Sequence, residues 1–236
     1  MNSKIKLSIV IPCYNEGKNI KILLNSIRSI LKKKKYIQFV LVNNGSTDET
    51  KTIINSIKSK NILKIDIKKN IGYGHGIMTG VKRSSGHVIG WCHSDLQIKI
   101  NDVVSAYLSN YKSLINNIAV VKGKRKNRNF FDELFTYFMS VVVNYVFNVK
   151  LRDINAQPKL FSRVLKDDIL KKYPRDFSLD LFFLIKAHKK NLKIIEYPVT
   201  LYERKNEKAK GGGSILGKIK LIARTFKFIY KLKFSK

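Results

Sequence analysis

The chain has 236 residues, 44% hydrophobic and 11% aromatic, which is enough to bury one substantial core and excludes a disordered polar chain. Its 47 lysines and arginines against 16 aspartates and glutamates leave a formal charge of +31, so attraction to nucleic acid, anionic lipid or phosphorylated substrates is physically unavoidable. Cys13 and Cys92 both lie in apolar strand-like runs, which points to buried reduced thiols and not to a disulfide framework.

The first residues lead straight into a strand and offer no secretory apolar segment, so a cytoplasmic chain is expected. Residues 6–11 read as a buried strand, and Ile20, Leu23, Leu24, Ile27 and Leu31 recur with helical period. A second strand is expected over 39–42, followed by Ser46-Thr47-Asp48-Glu49 as a capping box before Ile53, Ile54 and Ile57. Residues 62–67 read as a third strand, 74–83 as a short helix and 88–92 as a fourth strand. This alternation predicts βαβ units, hence an α/β fold with a largely parallel sheet covered on both faces.

Beyond residue 100 the alternation stops. A helix is expected over 102–110, a strand over 118–121 and a long uncharged helix over about 131–148. Thr136, Ser140, Asn144 and Asn148 interrupt that last run, which leaves it short of the ~20 apolar residues of a membrane-spanning helix. Residues 179–188 are expected to be helical, 193–199 extended and 208–213 a flexible basic loop. The final segment sets Ile215, Ile219, Ile222, Phe226, Ile229 and Tyr230 on one helical face, with Lys218, Arg224, Lys227, Lys231 and Lys233 around it. That pattern suits an interfacial helix or an ordinary amphipathic helix packed on the domain.

In an open parallel sheet, ligands bind beyond the carboxyl ends of the strands. Three predicted strand ends carry polar clusters: Pro12-Cys13-Tyr14-Asn15-Glu16, Asn43-Asn44-Gly45-Ser46 and His93-Ser94-Asp95-Leu96-Gln97. In the last, His93, Asp95 and Gln97 stand at alternate positions and are expected to project toward one point. Carboxylate and amide oxygens suit Mg2+ or Mn2+, and an imidazole shifts the preference toward Mn2+. Tyr14 is suited to stacking on a base, Glu16 and an asparagine amide to reading its edge or the ribose, and the metal cluster to holding a diphosphate. Gly72-Tyr-Gly-His-Gly76 follows the third strand and lacks the full dinucleotide spacing, so it reads as a tight turn where backbone approaches a ligand.

Those clusters, with Val42-Asn-Asn-Gly-Ser-Thr-Asp-Glu-Thr50, Gly123-Lys-Arg125, Asp153-Ile-Asn-Ala-Gln-Pro-Lys-Leu-Phe161, Phe177-Ser-Leu-Asp180 and Glu196-Tyr-Pro-Val199, carry a resemblance. The chain resembles family 2 glycosyltransferases of the GT-A fold, most of all the dolichol-phosphate mannose synthase or polyprenyl-phosphate glycosyltransferase group, over residues 5 to about 214. The resemblance implies a Rossmann-like, mostly parallel central sheet flanked by helices. It also implies one glycosyltransferase domain over 1–214, with a basic amphipathic helical tail over 215–236.

Position by position, the resemblance places Pro12, Tyr14 and Glu16 at the nucleotide, with Asn43 or Asn44 at an aspartate position that contacts the base. Gly76 and Ser94 adjoin the sugar nucleotide, while Arg204 and Lys210 form a basic pair on a loop that closes over it. Asp95 matches the second aspartate of the Asp-X-Asp metal motif and Gln97 joins it, with His93 where the first aspartate usually stands. Arg125 lies near the sugar phosphate, Lys126 and Arg128 are acceptor-phosphate candidates, and Asp153 and Asp180 are candidate bases for a hydroxyl acceptor. Neutral groups at His93, Asn43 and Asn44 remove up to three negative charges, which lowers metal affinity or shifts metal preference.

The expected activity is metal-dependent, inverting transfer from a nucleotide-diphospho-sugar to a polyprenyl phosphate or a lipid-linked or cell-surface saccharide. The divalent metal (Mg2+ or Mn2+) is the expected cofactor. The expected location is peripheral, on the inner face of the cytoplasmic membrane, with residues 215–236 on anionic lipid. The competing readings are a nucleic-acid-binding protein, which has no use for a metal cluster, and a non-catalytic sugar-nucleotide-binding relative. No specific nucleic-acid partner is expected.

Overall fold

The structure, a computed structural model, describes residues 5–204 and 215–234, the side chains of 215–222 excepted. It opens with β1 (Leu7–Cys13), α1 (Gly17–Lys33), β2 (Ile37–Asn44), α2 (Thr50–Asn55), β3 (Ile62–Ile67), α3 (Tyr73–Arg83) and β4 (Val88–Trp91). There follow α4 (Ile100–Ser109), α5 (Tyr111–Ile115), β5 (Ala119–Lys126), α6 (Phe130–Phe147), β6 (Lys159–Ser162), α7 (Lys166–Leu170), α8 (Leu179–Lys189), β7 (Lys193–Thr200) and α9 (Ile215–Phe234).

Among the described residues the strands form one seven-stranded sheet in the order β3-β2-β1-β4-β6-β5-β7. The sheet is mixed α/β and mostly parallel, as expected. β6, which has no counterpart among the expected strands, runs antiparallel to both neighbours. Its four residues are too few to show periodicity.

The strands are apolar on both faces because both faces are covered. Leu7, Ile9, Ile11, Phe39 and Leu41 point into the core beneath α1, α2 and α4. Val10, Val40, Val42, Ile89 and Trp91 point the other way, beneath α3 and α8. Ile229 of α9 enters this second core with Phe228 and Leu232 against it, so the amphipathic C-terminal helix packs on the domain.

The expected capping box is not made. Helix α2 starts only at Thr50 with no side-chain cap from Glu49, because Ser46 is used elsewhere: its hydroxyl donates to the Cys13 carbonyl and accepts from the Asn15 amide. Asp48 accepts from the Thr50 and Gly17 amides, tying this loop to the end of β1. The 131–148 run forms α6, and its 18 residues, with mean hydropathy 1.2, meet by length and composition the requirement for crossing a membrane. That corrects the reading of the run as too short. The 208–213 loop lies outside the described residues.

β5 and the segment preceding β6 approach closely at Gly123, whose amide donates to the Pro158 carbonyl. A Cβ there would stand 1.9 Å from the Gln157 carbonyl oxygen. Gly123→Ala is therefore expected to cost about 1–3 kcal/mol, as overpacking does, read as a lower urea midpoint. An unchanged midpoint would show that the two segments separate freely.

Candidate active site

The parallel strands end on one side of the sheet, and the reversal at β6 leaves β5 running the same way as β4. The ends of β1, β2, β4 and β5 therefore open onto a single cleft of about 760 Å³. Beyond β7 the chain turns back across it: the Tyr202 amide donates to the Gln97 carbonyl, and Gln97 Nε2 donates to the Tyr202 carbonyl.

At the ends of β1 and β2, Pro12, Tyr14, Glu16 and Asn44 line the cleft. Asn44 Nδ2 donates to the Gly72 carbonyl at 3.2 Å, and its Oδ1 is buried without a partner. Asn43 is turned into the fold, donating to Asp66 at 2.6 Å and accepting from the Ser46 amide. Gly76 does not line the cleft. It makes room for the Asn44 side chain, which would stand 2.9 Å from a Cβ at that position. Ser94 lines the cleft and donates to the Pro12 carbonyl, joining the ends of β1 and β4.

His93, Asp95 and Gln97 all line the cleft, but the chain after Trp91 is bent and Leu96 has φ 62°, so strand alternation does not aim them at one point. Asp95 Oδ2 and Gln97 Oε1 converge instead on Arg204, at 2.7 Å from Nη2 and 3.0 Å from Nε. The His93 ring stacks on Tyr73 at 5.0 Å, and Tyr73 stacks on Phe177 at 4.6 Å. Burial lowers the His93 pKa. Among the described residues, no group of three or more His, Cys, Asp or Glu is gathered to hold a metal ion. Lys210 lies outside the described residues.

At the end of β5, Arg125 and Arg128 line the cleft while Lys126 does not. Asp153 joins both arginines: it accepts from the Arg125 amide at 2.9 Å, from Arg125 Nε at 3.1 Å and from Nη2, and Arg128 Nη1 lies at 3.4 Å. Burial pushes the Asp153 carboxyl up, but the hydrogen bonds and charge of Arg125 outweigh it and hold the group below the usual carboxylate range. Asp180 is 1% exposed and accepts from Trp91 Nε1, Gln157 Nε2, Lys159 Nζ and the Tyr73 hydroxyl. Neither carboxylate lines the cleft, so neither is placed to take a proton from an acceptor. Their geometry is that of groups that position Arg125 and Gln157.

Tyr73, Asn155, Gln157 and Asp176 line the cleft without having been singled out in the sequence. Tyr73 and Gln157 sat inside motifs already noted. Asp176 directly precedes another, so adjacency was the available signal.

Burial brings the Lys159 ammonium down to about 8, against the opposing pull of Asp180. Lys122 and Asp153 also act on it. With the folded value below the ordinary 10.5, the cost of the buried charge is felt in full below about pH 8 and fades toward pH 10.5. The stability of the native protein relative to Lys159→Met is thus expected to rise between about pH 8 and pH 10 in urea unfolding. A flat difference would show that the ammonium is not desolvated.

An open, mostly parallel sheet of this order with a cleft at its carboxyl ends is the architecture of the GT-A fold class. The glycosyl transferase family 2 model matches residues 8–159, and the chain belongs to that family of glycosyltransferases. It is 25% identical over 228 residues to dolichyl-phosphate beta-glucosyltransferase ALG5A of Trichomonas vaginalis, covering 90% of this chain and 71% of the relative. It is 28% identical over 234 residues to dolichol-phosphate mannosyltransferase of Pyrococcus furiosus, covering 97% of this chain and 64% of that one. Thus more than a third of the latter's length has no counterpart here. The fold is shared with glucosyl-3-phosphoglycerate synthase from Mycobacterium tuberculosis, solved with Mn2+, UDP and glucosyl-3-phosphoglycerate. The TM-score is 0.70 at 14% identity, covering 97% of this chain and 80% of that one.

Proposed function

We propose that this glycosyltransferase transfers a sugar, with inversion and with a divalent ion, from a nucleotide-diphospho-sugar to a polyprenyl phosphate or lipid-linked saccharide at an anionic membrane surface. The observation that carries it is the pairing, across one cleft, of Asp95 and Gln97 at the end of β4 with Arg125 and Arg128 at the end of β5. The names of the two relatives support a lipid-phosphate acceptor.

Asp95 and Gln97 already converge on a cation, the Arg204 guanidinium, so their oxygens fit a divalent ion completed by phosphate and water oxygens. One carboxylate with substrate phosphates is an ordinary Mg2+ set. Bound there, such an ion supplies Lewis-acid neutralisation of the leaving diphosphate. Arg204, which also borders the cleft, would add a second cation for the phosphates. Arg125 and Arg128 are both oriented by Asp153; Arg125 is suited to the sugar phosphate and Arg128 to the acceptor phosphate, each by charge-assisted hydrogen bonds. An acceptor phosphate oxygen forms the new bond to the anomeric carbon as the bond from that carbon to the diphosphate oxygen breaks. The nucleoside diphosphate departs with the electron pair. A phosphate already ionised near pH 7 needs no base, in keeping with the enclosure of Asp153 and Asp180.

The membrane contact is extended from the C-terminal helix to α6. Phe131, Leu134, Phe138, Val141 and Tyr145 form an exposed stripe at helical spacing, with Phe138 60% and Tyr145 90% exposed. Phe226, Tyr230 and Phe234 make a second exposed row on α9, with Lys227, Lys231 and Lys233 also exposed. Aromatic stripes beside lysines suit an anionic lipid surface. Arg128 before α6 and Asp153 after it form an ion pair, so both flanks of the helix return to one side and it lies along the surface.

Thermal shift with UDP, GDP and their sugars in Mn2+ or Mg2+ tests the donor site, since stabilisation follows affinity. The native protein is expected to gain a metal-dependent shift that Asp95→Asn loses. A shift indifferent to metal in both would sink the metal role. In flotation with phosphatidylglycerol vesicles the native protein is expected to rise with the lipid, and a Phe131→Ser, Phe138→Ser double variant to stay largely behind. Equal recovery of the two would remove α6 from the membrane contact.

A further inference from the structure

We propose that Gln157 is a specificity-determining residue for the donor sugar, its Oε1 accepting a hydrogen bond from one hydroxyl of the sugar being transferred. The proposal rests on the glycosyltransferase reading above and adds a chemical requirement to it. The donor must carry a hydrogen-donating hydroxyl at that position, and a deoxy sugar is discriminated against.

Gln157 is 2% exposed, lines the cleft, and has its Oε1 buried without a partner. A buried carbonyl oxygen left unmatched is costly, so a position that retains one is suited to a ligand that supplies the donor. The amide cannot be turned around. Its Nε2 lies 3.0 Å and 3.3 Å from the two oxygens of Asp180, a carboxylate that only accepts when ionised, and 2.8 Å from the Tyr73 hydroxyl. Flipping the amide would set oxygen against carboxylate. Asp180 thus holds the nitrogen and leaves the carbonyl oxygen as the unmatched polar atom of a residue that lines the cleft.

The place of Gln157 in the sheet selects the part of the donor it meets. Trp91, the last residue of β4, pairs with Lys159 at the start of β6, and Tyr73 bridges the residues beyond, stacking on His93 and accepting from Gln157 Nε2. Gln157 therefore stands at the Asp95 end of β4, on the flank away from β1 and β2. Tyr14, Glu16 and Asn44, the nucleotide-side residues, occupy the opposite flank. With the diphosphate between them at Asp95, the group on the β6 flank is the sugar. Tyr73, stacked on His93 and bonded to Gln157, fixes the amide relative to that point.

Isothermal titration of the native protein and Gln157→Met with UDP, GDP, UDP-glucose and GDP-mannose identifies the preferred donor. Its monodeoxy and monofluoro analogues are then titrated, each affinity being divided by that of the parent donor within the same protein. One position is expected at which both the deoxy and the fluoro analogue bind the native protein at least about tenfold more weakly, because fluorine cannot donate. In Gln157→Met that ratio should fall to near one, which loss of positioning alone would not produce. Gln157→Asn, which withdraws the amide by one methylene, replaces the Met variant if that one does not fold. If nucleotides bind but every analogue ratio is the same in native and variant proteins, the assignment of Gln157 is overturned while the donor site stands. If neither UDP nor GDP binds, the donor reading itself fails and takes this assignment with it.

Discussion

Asp180 is a carboxylate with almost no access to water, and an ionised carboxylate in that position persists only where donors surround it. Its donors come from separate parts of the chain: Trp91 from β4, Tyr73 from α3, and Gln157 and Lys159 from the start of β6. Each of these bonds constrains a residue that borders the cleft or supports one that does. Removing the carboxylate would leave the buried Lys159 ammonium without its counter-charge and the Trp91 indole N–H without its acceptor, so the segments cannot drift apart cheaply.

A second cluster performs a similar service at the end of β5. Asp153 lies between Arg125 and Arg128 and spends its charge on keeping both guanidinium groups at the mouth of the cleft. Arg128 is also tied to the first turns of α6 through the Asp132 carbonyl and the Thr136 hydroxyl. The two arginines at the cleft and the exposed aromatic helix are therefore mechanically one unit. On the proposed reading, a lipid acceptor meets its anchoring surface and its phosphate site on consecutive residues of the same segment.

Arg204 links the remaining edge of the sheet to the centre. It follows β7, at the far edge, yet its guanidinium rests on Asp95 and Gln97 at the end of β4. The Arg204 guanidinium pairs with the nearly buried Asp95 carboxylate. On the proposed reading, Arg204 and a divalent ion compete for that single carboxylate.

The alternation of strand and helix up to residue 92, the apolar strands and the three polar strand ends were legible in the sequence. They depend on local periodicity and on the rule that parallel sheets present their carboxyl ends to ligands. The lines of motif that marked the family were legible for the same reason, since each is a short contiguous run. What only the tertiary structure decided were pairings across long separations. β6 was hidden by its shortness, Ser46 was drawn from helix capping to the end of β1, and His93 left the metal side chains for a ring stack with Tyr73. The enclosure of Asp153 and Asp180, the orphaned oxygen of Gln157 and the exposed face of α6 depend on which groups the fold brings alongside. A sequence states which side chains can ionise or donate. Their partners, and hence their free valences, exist only once distant segments are packed against one another.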